Sequence, residues 1–170
     1  MEDKNLKVIE FLLKDEEKDK EIGSLDLISI VQDPAIETNF QLFNKGKKAE
    51  VKFSEAKERM EITGAAMRAN KKILRIDEET GEYYYCFWSE KTVRDAAQLF
   101  FKHKNNLKTN IGHSGLEIKG DLFVYESWIV VDPKVDKATA MGFSDVQKGD
   151  WFVTFKITNE SLDKILAVLL

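Results

Sequence analysis

Short runs of β-branched and aromatic residues recur along the chain, and they constrain its fold more than any other feature. Examples are residues 6–13, 83–88 and 150–157, each bounded by charged or turn-forming residues. Runs of this length and composition are typical of β-strands. The sequence predicts about seven strands, including a hairpin in which residues 72–76 and 83–88 pair across a turn at 77–82.

Two segments carry the periodicity of amphipathic helices. Ser89 is a favourable N-cap, and apolar side chains follow it at the spacing of one buried helical face: Val93, Ala96, Ala97, Phe100 and Phe101. Residues 158–170 predict a second helix of the same kind. Because the strands do not alternate regularly with the helices, we expect the α+β class. The expected architecture is a small, mainly antiparallel β-barrel with the helices packed outside it.

Length and charge limit the classes of protein to consider. The 170 residues fit one domain, spanning residues 1–170. The net charge of −4 arises from interspersed acidic and basic residues, so no basic face favours nucleic acid as a partner. No run approaches the ~20 apolar residues of a membrane span, and the N-terminus does not resemble a signal peptide. We expect a soluble protein, intracellular when made, with no membrane partner.

Metal and cofactor chemistry find little support. The chain has two histidines, no HExxH motif, no paired CxxC motif and no glycine-rich phosphate loop. We therefore expect neither a metal nor a cofactor. The single cysteine, Cys86, is interpreted as a buried strand residue rather than a nucleophile. His103 is interpreted as a solvated residue at the C-terminal end of the first helix.

The stretch NIGHSGLEIKGDLFVYESWIVVD places His113 and Ser127 in neighbouring predicted strands. If residues 119–121 form a three-residue hairpin loop, Ile118 pairs with Leu122. Counting outward from that pair, His113 lies directly opposite Ser127, with Cβ atoms about 5 Å apart. An imidazole at this distance can reach the serine hydroxyl.

A two-residue loop at 119–120 shifts the register by one position. His113 then faces Glu126, and Ser127 points to the other side of the sheet. The sequence leaves both registers open. In the first, a neutral imidazole can accept the serine proton and make the hydroxyl a nucleophile. In the second, Ser127 is an ordinary strand serine, which is the commoner role of such a residue.

Several motifs in order resemble those of the tailed-phage prohead proteases, the capsid-maturation serine proteases. The resemblance begins with SLDLISIVQDPAIETNFQLF and continues with ITGAAMRANKKILRIDEETGEYYYCFWSEKTVRDAAQLFF. NIGHSG and VYESWIV are similar to the histidine and serine motifs of that family. KGDWFVTFKITNESLDKI resembles its closing strand and helix. The resemblance extends from residue 22 to residue 165, nearly the whole chain.

The resemblance implies a serine endopeptidase with the small helix-wrapped β-barrel of the herpesvirus maturation proteases. It implies His113 as general base and Ser127 as nucleophile. The implied substrates are the phage scaffold protein, the major capsid protein and the enzyme itself. The implied location is the interior of the prohead, which assembles in the cytoplasm of the host bacterium. Whether the chain acts as a monomer or a homo-oligomer stays open.

In the related proteases the third member of the triad is a His, Asp or Glu, commonly located after the serine. No histidine follows Ser127 here, so the resemblance implies a carboxylate. Asp150, at the start of a predicted strand, is the preferred candidate, with Asp145, Asp132 and Asp121 left open. Glu126 should point to the opposite sheet face from Ser127. The loop TAMGFSD is a weaker candidate for the oxyanion hole, with Gly142 allowing close approach of the substrate.

The functional hypothesis is therefore a prohead maturation protease that uses Ser127 and His113. The chief rival is a non-catalytic capsid- or scaffold-binding module on the same fold. An esterase ranks last, because the chain lacks the GxSxG elbow. Family members often continue beyond the closing helix into a tail, so we expect this sequence to be a mature or shortened form.

Overall fold

The structure is a computed structural model, and it describes residues 6–13, 28–30, 41–42, 60–111, 117–119 and 122–157. Within these ranges lie ten strands, two α-helices and one 3-10 helix. In chain order they are β1 (Lys7–Glu10), β2 (Ile28–Ile30), β3 (Gln41–Leu42), β4 (Glu61–Met67), β5 (Ile73–Ile76), β6 (Tyr83–Phe87), α1 (Glu90–Lys102), the 3-10 helix (Asn105–Leu107), β7 (Lys108–Ile111), β8 (Glu117–Lys119), β9 (Leu122–Ile129), α2 (Lys137–Ala140) and β10 (Trp151–Ile157).

The strands form three small sheets. The largest has four antiparallel strands in the order β3-β4-β10-β9. The others have the orders β1-β6-β5 and β2-β7-β8, and each contains one parallel pair, β1 with β6 and β2 with β7. The α+β class is thus confirmed, with mostly antiparallel pairing. The described residues contain more strands than the seven predicted, and the closure of their sheets into a barrel stays a prediction.

Local signals in the sequence located several elements correctly. The predicted hairpin is present as β5 and β6, with Ile73 opposite Cys86, and Cys86 is fully buried. Ser89 caps α1, its hydroxyl accepting a hydrogen bond from the Thr92 amide. His103 is exposed at the C-cap of α1, as expected. Phe101 is a correction, since its side chain is 40% exposed while the rest of the predicted helical face is buried.

The main core lies between α1 and one face of the four-stranded sheet, and we call this side of the sheet the α1 face. Phe100 of α1 meets Trp151 of β10 edge to face, with ring centroids 5.5 Å apart. A second, smaller cluster covers the opposite face, where Phe152 packs against Phe143 and Trp128. We call this opposite side the α2 face, because Ala138 of α2 belongs to the same cluster.

One pairing that the sequence suggested is not found among the described residues. Within the described residues, β8 pairs with β7, so that Ile118 lies opposite Thr109 and not opposite Leu122. Leu122 instead pairs with Ile157 of β10 and is fully buried. Burial of Leu122 in the main core directs β9 into the other sheet, and the hairpin that was to bring His113 opposite Ser127 is not found there. The predicted helix at 158–170 lies outside the described residues.

Candidate functional site

A β-bulge decides where Ser127 points. Along β9, Val124 opposes Phe155 and Glu126 opposes Thr154, so Tyr125 is an extra residue without a counterpart in β10. An extra residue of this kind reverses the in-and-out alternation of the side chains that follow it. Ser127, opposite Val153, therefore shares the α1 face with Leu122 and Val124.

The hydroxyl of Ser127 is exposed and has one defined partner. The indole Nε1 of Trp151 donates a hydrogen bond to Ser127 Oγ over 2.8 Å. An indole N–H can only donate, so the serine oxygen must accept and its own hydrogen is left to point elsewhere. An exposed hydroxyl with its proton available and its oxygen held by a donor is suited to transferring that proton to a base.

The residues that would complete the predicted site are only partly described. His113 and Asp121 lie outside the described residues, so whether the His113 imidazole reaches Ser127 stays a prediction. Glu126 lies on the α2 face with Thr154, whose hydroxyl donates to it, as the sequence predicted for a residue adjacent to Ser127.

Asp150 is part of a buried ion pair. Arg68 Nε donates to Asp150 Oδ2 over 2.8 Å, and the two side chains are 1% and 0% exposed. The amide of Ala69 donates to Oδ1 and the amide of Gln147 donates to Oδ2, each over 2.8 Å. Both carboxylate oxygens are therefore occupied by structural donors. These contacts favour a role in holding β4 to the start of β10 over a role in orienting a histidine.

Two opposing effects act on the ionisation of Asp150. Burial raises the pKa of this carboxyl above its ordinary value, while the Gln147 amide, the Arg68 charge and the Ala69 amide act in the opposite direction. The Arg68 guanidinium also donates to the backbone carbonyl of Asp145. The pair and its amide donors form one connected, buried cluster.

The remaining described aspartates have local structural roles. Asp145 adopts a left-handed backbone conformation, with φ of 55°, and presents its carbonyl to Arg68. Asp132 lies in an exposed turn, where Oδ1 accepts the amide of Lys134 over 3.0 Å. Neither arrangement singles out a catalytic carboxylate.

The amides of Gly142 and Phe143 are both engaged in the turn that ends α2. Its amide donates to the carbonyl of Thr139 over 2.9 Å, and the amide of Phe143 donates to that of Ala138 over 3.1 Å. Gly142 has a φ of +90°, and a Cβ added there would meet no atom within 4 Å. The positive φ of Gly142 is thus explained by the turn that ends α2, and its role in an oxyanion hole stays a prediction.

A polar row that sequence analysis missed crosses the α2 face of the four-stranded sheet. Thr63, Thr154 and Glu126 lie side by side on β4, β10 and β9. Their side chains are linked, with 2.8 Å between the two threonine hydroxyls and 2.9 Å from Thr154 Oγ1 to Glu126 Oε2. Lys137 of α2 forms an ion pair with the same carboxylate oxygen. Only the tertiary pairing aligns these residues, so no local sequence signal reveals the row.

The surroundings of Glu126 keep it ionised. Burial by itself would raise the pKa of Glu126, but hydrogen bonds from Lys137 and Thr154 and the charge of Lys137 lower it below its ordinary value. Lys137 also makes a cation–π contact, since its ammonium lies 4.9 Å from the centre of the Trp128 ring. The row therefore presents a carboxylate with a fixed counter-charge.

Within the described ranges, no three His, Cys, Asp or Glu side chains are grouped as a metal site. None of the helices found there is both long and apolar enough to cross a membrane.

No protein-family model matches this chain, and no significant match to it is found among curated proteins or solved structures. The resemblance to prohead proteases therefore rests on the sequence motifs alone.

Proposed function

We propose that this protein is a serine endopeptidase in which Ser127 is the nucleophile and His113 the general base. The observation that carries the proposal is the environment of Ser127. Ser127 is an exposed residue in the second half of β9, and the Trp151 indole donates to its hydroxyl oxygen over 2.8 Å. The serine proton is then free for transfer to a base, and the order of the histidine and serine motifs supplies one.

The proposed reaction proceeds by two acyl-transfer steps. As Ser127 Oγ attacks the peptide carbonyl carbon, its proton passes to the imidazole of His113, and a C–O bond forms. The imidazolium then protonates the leaving amine while the C–N bond breaks. Water, deprotonated by the same imidazole, attacks the acyl-enzyme and releases the carboxylic acid. The Trp151 N–H stabilises Oγ while it carries partial negative charge.

We propose that an aspartate orients His113. Asp150 fits the sequence pattern, but both of its carboxylate oxygens are engaged by Arg68 and backbone amides. Asp121 adjoins β9 in the chain and is the alternative that we favour.

The resemblance also suggests the substrates of the protein, its location and a β-barrel fold. We propose the phage scaffold protein, the major capsid protein and the enzyme itself as substrates, cleaved inside the prohead in the bacterial cytoplasm. We further propose that the sheets belong to a β-barrel of the herpesvirus-protease kind. The α+β class and the predominance of antiparallel pairs are compatible with that barrel.

The test is intact-mass analysis of the capsid and scaffold proteins from particles assembled with the native chain, Ser127→Ala or His113→Ala. We expect both variants to leave the precursors uncut while particles still assemble. Thr80→Ala, at an exposed turn residue, is the matched control and should cleave normally. If precursors are cut equally with all four chains, the proposal is wrong and the protein is better described as a non-catalytic capsid- or scaffold-binding module.

A further inference from the structure

The three-stranded sheet β1-β6-β5 has one buried face and one exposed face. Ile73 and Cys86 lie opposite each other on β5 and β6, and they are 6% and 0% exposed. Their sequence neighbours point to the other face, because side chains alternate along a strand. We call this other face the outer face. Four of its large side chains are between 46% and 57% exposed: Val8, Leu74, Ile76 and Tyr83.

The apolar and aromatic residues of the outer face form rows across the strands. Tyr85 of β6 lies between Val8 of β1 and Leu74 of β5. In the next row, Ile76 of β5 lies opposite Tyr83 of β6. Contiguous exposed patches of large apolar side chains on a soluble domain mark sites of protein–protein contact. The outer face therefore has the character of an interface.

At one end of the outer face, a charged residue lies on each side of Phe87. Glu10 of β1 is exposed and pairs with Phe87 of β6. Lys72 is exposed and lies two positions before Leu74, so regular alternation places it on the outer face as well. Continuing the register of β5 with β6 by one residue puts Lys72 opposite Phe87. This end of the face thus carries a negative charge at β1 and a positive charge at β5.

The positions of these charges make the outer face complementary to itself. Suppose that a second copy packs against it about a two-fold axis parallel to β6, so that β1 of each copy lies over β5 of the other. Residues at the same level along the strands then meet across the axis. Val8 faces Leu74 of the second copy, and Glu10 faces Lys72 of the second copy. Because the symmetry repeats each contact, two apolar pairs and two ion pairs form.

The same reasoning selects the direction of the axis. A two-fold axis that runs across the strands would place β1 over β1 of the second copy. Glu10 would then meet either the apolar rows or another Glu10, and no pair between Glu10 and Lys72 would form. Since like charges brought together and unpaired charges buried against apolar groups are both unfavourable, only the axis parallel to β6 suits this surface.

We propose that the outer face binds a second copy of this chain and forms a two-fold symmetric dimer through the two β1-β6-β5 sheets. Three strands about 4.8 Å apart and five residues of about 3.3 Å each give a face of about 15 Å by 17 Å. Interfaces this small belong to the weak class, so we expect a Kd on the order of tens of micromolar. Ser127 belongs to a different sheet, and the dimer does not depend on the proposed proteolytic activity.

The test is sedimentation velocity of the full-length chain at concentrations from about 1 µM to about 500 µM. We expect the native chain to pass from monomer to dimer over this range. Glu10→Lys or Lys72→Glu alone should raise the Kd at least about tenfold, since each turns two ion pairs into two like-charge contacts. Lys134→Glu, at an exposed lysine in the turn after β9, is the matched control and should dimerise like the native chain.

Mixing the two single variants separates contacts between chains from contacts within one chain. A Glu10→Lys copy and a Lys72→Glu copy restore both ion pairs between them, so their equimolar mixture should dimerise about as well as the native chain. Charges that interact only within one chain would not respond to mixing. Leu74→Asp puts a charge into the central apolar row and should prevent dimerisation in every combination. Circular dichroism checks that each variant is folded.

Three results would overturn the proposal: a native chain that stays monomeric up to about 500 µM, single charge variants that dimerise like the native chain, or a mixture that does not regain dimerisation. The first would mean that the outer face contacts another segment of the chain or a different protein. Ser127→Ala should dimerise as the native chain does. A failure of dimerisation is thus distinguishable from a failure of the proposed protease activity.

Discussion

Arg68 lies buried at the end of β4, where the carboxylate of Asp150 is its counter-charge. Removing one member of a buried ion pair leaves the other charge without water or a partner, which is strongly destabilising. The same pair also fixes the start of β10 through the amides of Ala69 and Gln147. At the scale of single residues, the contacts of Asp150 thus give it a structural role, and its catalytic role stays a prediction.

We expect Asp150→Asn to lower the free energy of unfolding by at least about 3 kcal/mol, because Arg68 would keep its charge in a buried site. Urea denaturation followed by circular dichroism measures this change. Asp132→Asn, in an exposed turn, should change it by less than about 0.5 kcal/mol. A variant at Asp150 that keeps native stability but loses cleavage of capsid precursors would restore Asp150 as the orienting carboxylate.

At the scale of elements, the bulge in β9 determines on which face of the sheet its side chains lie. Ser127 is on the α1 face beside Trp151, and Tyr125 lines a cavity on the α2 face. If β9 had the same residues but no bulge, regular alternation would place Leu122 and Ser127 on opposite faces of the sheet. One extra residue therefore determines which side chains each face presents.

Deleting Tyr125 should remove the bulge without changing the face of any other residue, because Val124 and Glu126 would then be consecutive in a regular ladder. We expect the free energy of unfolding to change by less than about 1 kcal/mol. Deleting Phe123 instead should move Tyr125 into the buried position of Val124 and cost about 1–3 kcal/mol through overpacking. Urea denaturation of both variants measures the difference, and equal losses would contradict the bulge assignment.

At the scale of the whole molecule, Gly149 lies where three parts of the chain meet. It adopts a φ of +88°, and its amide donates to the carbonyl of Val130 over 2.9 Å. A Cβ at this position would lie 2.5 Å from Glu90 Cγ and 3.0 Å from Ala69 Cβ. The loop before β10, the first residue of α1 and the segment after β4 therefore approach one another too closely for any side chain at position 149.

We expect Gly149→Ala to destabilise the protein by about 2–3 kcal/mol, since it combines a left-handed backbone with a steric clash. Gly142→Ala has nearly the same φ but open space around the added methyl group, so it should cost only about 1 kcal/mol. The difference between the two, measured by urea denaturation, isolates the close approach. Equal losses would show that the three segments can separate without cost.

The sequence predicted the features that depend on residues close together in the chain. The N-cap at Ser89, the helical face after it, the hairpin of β5 and β6, and the strand β10 follow from side-chain chemistry and periodicity over a few positions. The α+β class followed from the order of these elements. Ser127 could be singled out for its motif, and Glu126 could be placed on the other face because neighbouring strand residues alternate.

Tertiary structure decided the features that depend on which distant segments pair. Among the described residues β9 pairs with β10 and β8 pairs with β7, and a bulge in β9 determines the face on which Ser127 lies. Arg68 and Asp150 are 82 positions apart, and a fold must be complete before their charges meet. The sequence by itself does not reveal which of these residues pair. The pairing is selected when all the apolar strands compete for places in the same core.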